Sequence, residues 1–155
     1  MNVETRLQRI EDRIEIKQLR HRYAYAVDSH DWETFQTLFT DDATIRFPQD
    51  NAEQSAFEGR DGLEAFGEAM DEHLIFSAHM MHNPVIDVKG DTAAGTWDAE
   101  VPEVTPQGSV LIHGRYEDEY RRTSGGWRFA GVDIYYNFRV PADDAWDREA
   151  VEPWQ

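Results

Sequence analysis

The sequence predicts an α+β fold in which helices at the start of the chain cover a curved antiparallel sheet. Apolar residues recur at helical spacing up to about His73, and from Ser77 onward they alternate in long stretches separated by glycine-containing turns. The chain has 155 residues, of which 40% are hydrophobic, which is enough to bury one core. We therefore expect a single domain over 1–155, with its core at about 5–139 and a C-terminal arm at 140–155.

The first helix is predicted over about residues 4–29. Apolar side chains recur every three or four residues along it, and we expect this stripe to face the core: Val3, Leu7, Ile10, Ile14, Ile16, Leu19, Tyr23 and Val27. Ser29-His30-Asp31 interrupts the pattern, and a short second helix follows from Trp32 to Phe39.

A strand, a loop and a third helix come next. The stretch from Ala43 to Pro48 is typical of a strand, and residues 49–55 form a polar loop. The third helix is expected to begin near Gly59, because Asp61 and Glu64 have the spacing of a capping box.

Four long β stretches complete the predicted fold. They run from Ser77 to Val88, Thr92 to Val101, Ser109 to Arg122 and Trp127 to Arg139. The short turns between them predict antiparallel pairing, and strands of this length must bend, with bulges or kinks at Gly95, Gly114 and Gly131. A bent sheet has a concave face, which the helices would close.

The alternation of faces within these strands assigns directions to their side chains. Tyr116 continues an inward apolar row, whereas His113 faces outward. In the first stretch His79, Met81 and Val85 share one face if no bulge intervenes.

Composition excludes several classes of function. With 31 acidic and 15 basic residues the net charge is −16, which disfavours nucleic acid and anionic membranes as partners. The absence of cysteine excludes disulfides and thiolate chemistry. Neither a membrane-spanning run nor a secretory signal is found, so we expect a cytoplasmic protein. Trp146 and Trp154 in the arm need a surface to cover, which favours a homo-oligomer.

The common catalytic motifs are absent. The sequence has no glycine-rich phosphate loop, no serine elbow and no zinc-binding histidine pair on a helix, so no metal site is predicted. Five histidines are interpreted as surface groups or satisfied core side chains: His21, His30, His73, His82 and His113. Asp28 ends the first helix and is either an inward carboxylate that needs a partner or an ordinary helix-end residue, and Tyr23 either packs or donates a hydrogen bond.

A series of segments, in this order and spacing, resembles a known family. The segments are Tyr23, Val27-Asp28-Ser29-His30-Asp31-Trp32, His79-Met80-Met81-His82-Asn83-Pro84, Gly114-Arg115-Tyr116, Glu119-Tyr120-Arg121-Arg122 and Gly126-Trp127-Arg128-Phe129. Over about residues 5–139 they resemble the SnoaL-like branch of the nuclear transport factor 2-like superfamily, which includes scytalone dehydratase, bile-acid 7α-dehydratase and hexachlorocyclohexane dehydrochlorinase. The resemblance implies a cone-like fold around a deep pocket, and an assembly of two or three copies.

The resemblance also implies site residues. Asp28 and His79 match the aspartate and histidine of the family's catalytic dyad, and Tyr23 matches a tyrosine of the bile-acid enzyme. Three positions differ from the relatives. Phe47 replaces a pocket tyrosine of both dehydratases. Glu103 falls near the position of a second histidine in scytalone dehydratase, and Tyr136 falls near the position of an arginine in the bile-acid enzyme. These differences mean that substrate identity cannot be transferred.

Together these features predict a cofactor-independent lyase or isomerase that acts on a small, largely apolar molecule. Asp28 would orient His79 as a general base, and Tyr23 or Tyr116 would donate to the oxygen that gains charge. The expected substrate-binding residues are Tyr116, Phe47, Trp97, Glu103 and Tyr136. Glu103 follows Val101-Pro102 at a predicted strand end, and that pattern favours a solvated loop residue over a pocket residue. A non-catalytic binding module with the same pocket, or an oligomerising scaffold without one, are the alternatives.

Overall fold

The computed structural model describes residues 1–49 and 56–144, which form three helices and seven strands. In chain order these elements are α1 (Val3–Asp28), α2 (Trp32–Thr37), β1 (Phe39–Arg46), β2 (Ala56–Glu58), α3 (Gly59–His73), β3 (Phe76–Ser77), β4 (Met80–Lys89), β5 (Thr92–Thr105), β6 (Gly108–Thr123) and β7 (Gly126–Pro141). A short 3-10 helix, Ala142–Asp144, follows β7. None of the helices in these ranges is both long enough and apolar enough to cross a membrane.

The strands form one curled, mixed sheet. The strand order is β2-β1-β7-β6-β5-β3, and β4 also pairs with β5. Strands β4 to β7 pair antiparallel with their sequence neighbours, as predicted. The sequence did not predict the parallel pairing of β1 with β7, in which Ile45 lies opposite Val132. The α+β cone-like fold is confirmed.

Two bulges in β7 bend the sheet where glycines predicted distortion. His113 pairs with Phe138 and Gly114 pairs with Tyr136, so Asn137 is an extra residue on β7. The backbone there is so close that a Cβ on Gly114 would lie 2.3 Å from the carbonyl oxygen of Tyr135. A second register shift falls beside the pair Glu119–Gly131. The bends give the sheet the concave face that encloses the site.

The apolar side chains of helix α1 are buried only in its second half. Every residue up to Glu11 is exposed, whereas Ile16, Leu19, Tyr23 and Val27 are buried. The prediction that the whole apolar stripe faces the core is therefore wrong for its first four members: Val3, Leu7, Ile10 and Ile14. The buried residues of the second half lie on the opposite side of the helix from these four residues.

Several predicted boundaries shift. Helix α2 ends at Thr37 and β1 begins at Phe39, because the Leu38 carbonyl already accepts a hydrogen bond from the amide of Phe129 on β7. Helix α3 begins at Gly59 with Glu58 as its N-cap and without a side-chain cap bond, so the predicted capping box does not form. The aromatic arm residues Trp146 and Trp154 lie outside the described residues.

The predicted strand from Ser77 to Val88 is interrupted twice. It breaks between Ser77 and Met80, and a bulge follows between His82 and Val85, where Asn83 has a φ of 50°. As a result, Met81 packs against the core while Val85 is 72% exposed. The condition for these two residues to share a face, that no bulge intervenes, is not met, and the bulge reverses the alternation between them.

Candidate active site

A cavity lies between the concave face of the sheet and helices α1 and α3. The space open to the centre of a water molecule is about 70 Å³, several times the ~10–15 Å³ that one water needs. Its walls are mostly apolar and include Val27, Phe66, Met70, Ala99, Val101 and Ile134. The cavity has room for a small organic molecule.

A histidine and an aspartate meet at its wall. The Nδ1 atom of His79 lies 2.6 Å from Oδ1 of Asp28, and the backbone N–H of His79 donates to Oδ2 at 2.9 Å. The Ser77 hydroxyl donates to Oδ1 at 2.8 Å. Asp28 therefore accepts from three donors, and we call Asp28 with His79 the cavity pair.

Local structure explains why these groups meet. Asp28 is the last residue of α1, where the helix dipole disfavours negative charge, so the carboxylate needs donors from elsewhere. The break between β3 and β4 supplies them, because the His79 amide donates to Asp28 rather than to a neighbouring strand. Burial raises the pKa of Asp28, but the hydrogen bonds and charge of His79 outweigh burial and hold that pKa below its ordinary value.

The pairing also orients the imidazole. If Asp28 accepts from the Nδ1–H group, a neutral His79 ring carries its lone pair on Nε2. Within the described residues nothing forms a hydrogen bond with that nitrogen. The ring lines the cavity, and its side chain is 8% exposed. This is the arrangement that a general base requires.

Two buried tyrosines lie beside the cavity pair. The Tyr23 ring centroid is 6.4 Å from that of His79 and 6.1 Å from that of Tyr116, and both tyrosines line the cavity. Burial raises the pKa of Tyr23 to about 12 and that of Tyr116 well above its ordinary value. Both hydroxyls therefore stay protonated near neutral pH and can donate hydrogen bonds.

A buried cation lies behind these tyrosines. The Arg20 guanidinium carbon is 4.4 Å from the Tyr23 ring centroid and 4.8 Å from that of Tyr116. Arg20 also pairs with Asp118, with Nε to Oδ2 at 3.0 Å, and both side chains are fully buried. The guanidinium packs on both rings and so contributes to their fixed positions.

A second polar group occurs at the cavity rim. The Oε2 atom of Glu103 lies 3.5 Å from Nη2 of Arg139, and the same nitrogen lies 2.9 Å from Nε2 of His73. All three residues line the cavity. Burial raises the pKa of Glu103, although the charge of Arg139 acts in the opposite direction. The interpretation of Glu103 as a solvated loop residue is wrong, because it is buried within β5.

Another histidine–aspartate pair lies away from the cavity. Nδ1 of His30 is 2.6 Å from Oδ1 of Asp71, and the Trp32 indole N–H donates to the same oxygen at 2.8 Å. The side chains are 29% and 51% exposed, respectively. We call His30 with Asp71 the surface pair. Across 1–49 and 56–144, no cluster of three or more histidine or acidic side chains is arranged to hold a metal ion.

Comparison with known proteins identifies the family. The model of the SnoaL-like domain matches residues 8–133. Uncharacterised proteins of Mycobacterium tuberculosis and Mycobacterium bovis are 32% identical over 127 residues, which is 77% of this chain and 81% of theirs. The chain belongs to the SnoaL-like domain family.

Solved structures with this fold agree with the assignment. A proposed aromatic ring hydroxylase from Novosphingobium aromaticivorans is 28% identical, with a TM-score of 0.78 over 87% of this chain and 96% of that one. A hexachlorocyclohexane dehydrochlorinase from Novosphingobium barchaimii is 22% identical, with a TM-score of 0.78 over 95% and 99%. A proposed scytalone dehydratase from Novosphingobium aromaticivorans is 19% identical, with a TM-score of 0.77 over 98% and 97%.

In this SnoaL-like protein most of the sequence-predicted site residues lie together. His79 contacts Asp28 and packs edge-on against the Tyr23 ring, and the cavity is also lined by four of the five expected substrate-binding residues: Tyr116, Phe47, Glu103 and Tyr136. Trp97 does not line the cavity. It shares the inward face of β5 with Ala99, but it packs further along the strand, where its indole N–H donates to the Tyr120 hydroxyl at 3.0 Å.

Sequence reasoning missed three polar residues of this SnoaL-like protein. His73 is a lone histidine in the sequence, which predicts a surface group or a satisfied core side chain, and Arg139 is the last residue of a predicted strand. Arg20 interrupts the buried stripe between Leu19 and Tyr23, and that position could have predicted a buried cation.

Proposed function

We propose that this SnoaL-like protein is a lyase or isomerase that removes a proton from carbon in a small, largely apolar molecule, with His79 as the base. The observation that carries the proposal is the 2.6 Å contact by which Asp28 orients His79 at the wall of a cavity with apolar sides. A base held in one orientation and shielded from bulk water gains in efficiency, typically by about 10² to 10⁴ in rate.

The step is an elimination or a proton shift. Nε2 of His79 takes a proton from a carbon that is acidified by a carbonyl group or by an adjacent leaving group. The electron pair of the broken C–H bond forms a carbon–carbon double bond as halide or hydroxide departs, and the imidazolium can return its proton to the hydroxide to release water. In an isomerisation, the same proton returns to a different carbon.

Two sets of donors support the oxygen that gains charge. The hydroxyls of Tyr23 and Tyr116 are protonated near neutral pH, and both residues line the same cavity as the base. Glu103 is buried at the rim and supplies a second acid when it carries a proton. No step of this reaction requires a cofactor.

The names of the structural neighbours fit this chemistry. A dehydrochlorinase and a proposed dehydratase share the fold, and both names describe the loss of a small molecule from a substrate. The neighbours' substrates are not transferred to this chain, because the identities of 19% and 22% support the shared fold alone.

A substrate panel tests the proposal. The panel consists of small cyclic compounds with a halide or hydroxyl next to an acidic C–H bond, incubated with the full chain and followed by mass spectrometry. We expect loss of HCl or water from at least one compound, and His79→Ala to lower that rate by about 10² or more. Binding without conversion, or conversion that does not depend on His79, would contradict the proposal and leave a binding module.

A further inference from the structure

The first half of α1 carries an apolar ridge that no other part of residues 1–49 and 56–144 covers. Val3, Leu7, Ile10 and Ile14 form this ridge, with exposures of 68%, 53%, 53% and 50%. A row of apolar side chains exposed to water is unfavourable and is typical of an interaction surface.

The ridge faces away from the chain's own core. On the opposite side of the same helix, Asp12 is 2% exposed and accepts hydrogen bonds from Arg122 and the indole of Trp127. Ile16 continues this buried side into the core. Because the helix is anchored by its other face, the ridge is available to a second molecule.

The spacing of the ridge is that of a coiled-coil seam. Its members are separated by four, three and four residues, which places Leu7 and Ile14 at heptad position a and Val3 and Ile10 at position d. A heptad seam packs against another helix with the same spacing, and a further copy of this chain supplies one.

Charged residues beside the ridge specify the direction of packing. Arg6 and Arg13 occupy position g, and Glu4 and Glu11 occupy position e. In a parallel arrangement each g residue faces the e residue five positions further along the other helix, so Arg6 faces Glu11. In an antiparallel arrangement arginine would face arginine and glutamate would face glutamate.

We propose that the α1 ridge packs in parallel against the same ridge of another copy of this chain, with Arg6 of each copy facing Glu11 of the next. Helices stay parallel around a rotation axis, so the assembly is cyclic. Neither Arg6 nor Glu11 forms an ion pair within the part of the chain that the structure describes, so both charges are free for this contact.

Charge reversal in the full-length protein tests the proposal, with mass and dissociation constant measured by sedimentation equilibrium. We expect an oligomer whose dissociation constant rises by roughly tenfold or more in Arg6→Glu and in Glu11→Arg, because each change turns attraction into repulsion. The double variant Arg6→Glu/Glu11→Arg restores tight association. Ile10→Asp, which places a charge in the seam, gives the mass of a single chain.

A matched control separates seam effects from overall charge. Arg9→Glu makes the same charge change on the same exposed helix at a position off the ridge, and it leaves the dissociation constant unchanged. Circular dichroism verifies that each variant retains its helices. A monomeric wild type, a mass unaffected by Ile10→Asp, or tighter association of Arg6→Glu would each overturn the proposal, and the last result would indicate antiparallel packing.

Discussion

The cavity pair and the surface pair have the same contact distance and different surroundings. In both, an imidazole Nδ1 lies 2.6 Å from a carboxylate oxygen. His79 is 8% exposed beside a cavity, whereas His30 is 29% exposed on the surface. The comparison teaches that the distance alone does not identify a candidate catalytic histidine, since enclosure and access to a substrate-sized space distinguish the two pairs.

The second difference is how each carboxylate is held. Asp28 accepts from a backbone amide and a hydroxyl as well as from its histidine, so its position is tied to the break between β3 and β4. Asp71 accepts from the Trp32 indole and from His30 but is half exposed, where water screens its charge. Matched substitutions in the two pairs therefore measure what enclosure contributes.

The largest expected difference concerns the rate. Asp28→Asn retains the size of the side chain but offers His79 an amide N–H, which favours the tautomer with its proton on Nε2. We expect the rate of proton abstraction to fall by about 10² to 10⁴, and Asp71→Asn to change it less than twofold. Steady-state kinetics with a substrate found in the panel measures both. Equal losses in the two variants would contradict the assignment of separate roles.

The next expected effect concerns the free energy of unfolding. At pH 7 Asp28→Asn should cost about 1–2 kcal/mol, because charge-assisted hydrogen bonds are lost, and Asp71→Asn less than about 1 kcal/mol. Urea denaturation of the three proteins gives these values.

The pH dependence of that cost has a defined sign. The folded pKa of Asp28 lies below the ordinary value of 3.8, so its contribution to stability is complete above that value and is lost as the pH falls through the folded pKa. The difference between wild type and Asp28→Asn should narrow as the pH falls below about 4. If the stability difference between the two proteins widened below about pH 4, the direction assigned to the pKa shift of Asp28 would be wrong.

A smaller effect is expected at the cavity rim. The folded pKa of Glu103 is raised above the ordinary value of 4.5, so its favourable contribution is present below that value and is lost as the pH rises through the folded pKa. Glu103→Gln should therefore raise the melting temperature relative to wild type more at pH 8 than at pH 4. Each kcal/mol gained in the free energy of unfolding corresponds to a rise of roughly 2–4 °C. Glu100→Gln, on the other face of β5, makes the same change outside the cavity lining and is the matched control.

Much of the fold was predictable because local patterns specify it. Alternation and turn residues predicted the strands from Thr92 onward. The glycine at 114 in a long strand predicted a bend, and the structure has a bulge there, where the backbone approaches Tyr135. The parallel pairing of β1 with β7 was not predictable, since it joins segments about 90 residues apart without a local signal. The exposed ridge was misassigned because periodicity shows that a face is apolar without showing what covers it.

The candidate site was predictable only in part. The resemblance supplied Asp28 and His79, but alternation alone could not orient His79, because the strand breaks beside it. His73 and Arg139 come from α3 and β7 and meet only in the folded chain, where they lie 2.9 Å apart. Trp97 was expected to bind substrate, but its position along β5 removes it from the site.

The most direct test of the central claim compares the two histidines as bases. The probe is 5-nitrobenzisoxazole, whose ring opens to a coloured cyanophenolate when a base removes its C–H proton. The account predicts that the full chain accelerates this reaction, that His79→Ala lowers kcat/KM by about 10² or more, and that His30→Ala leaves it within twofold. An unaccelerated reaction, or equal losses in His79→Ala and His30→Ala, would contradict the claim that enclosure makes His79 the base.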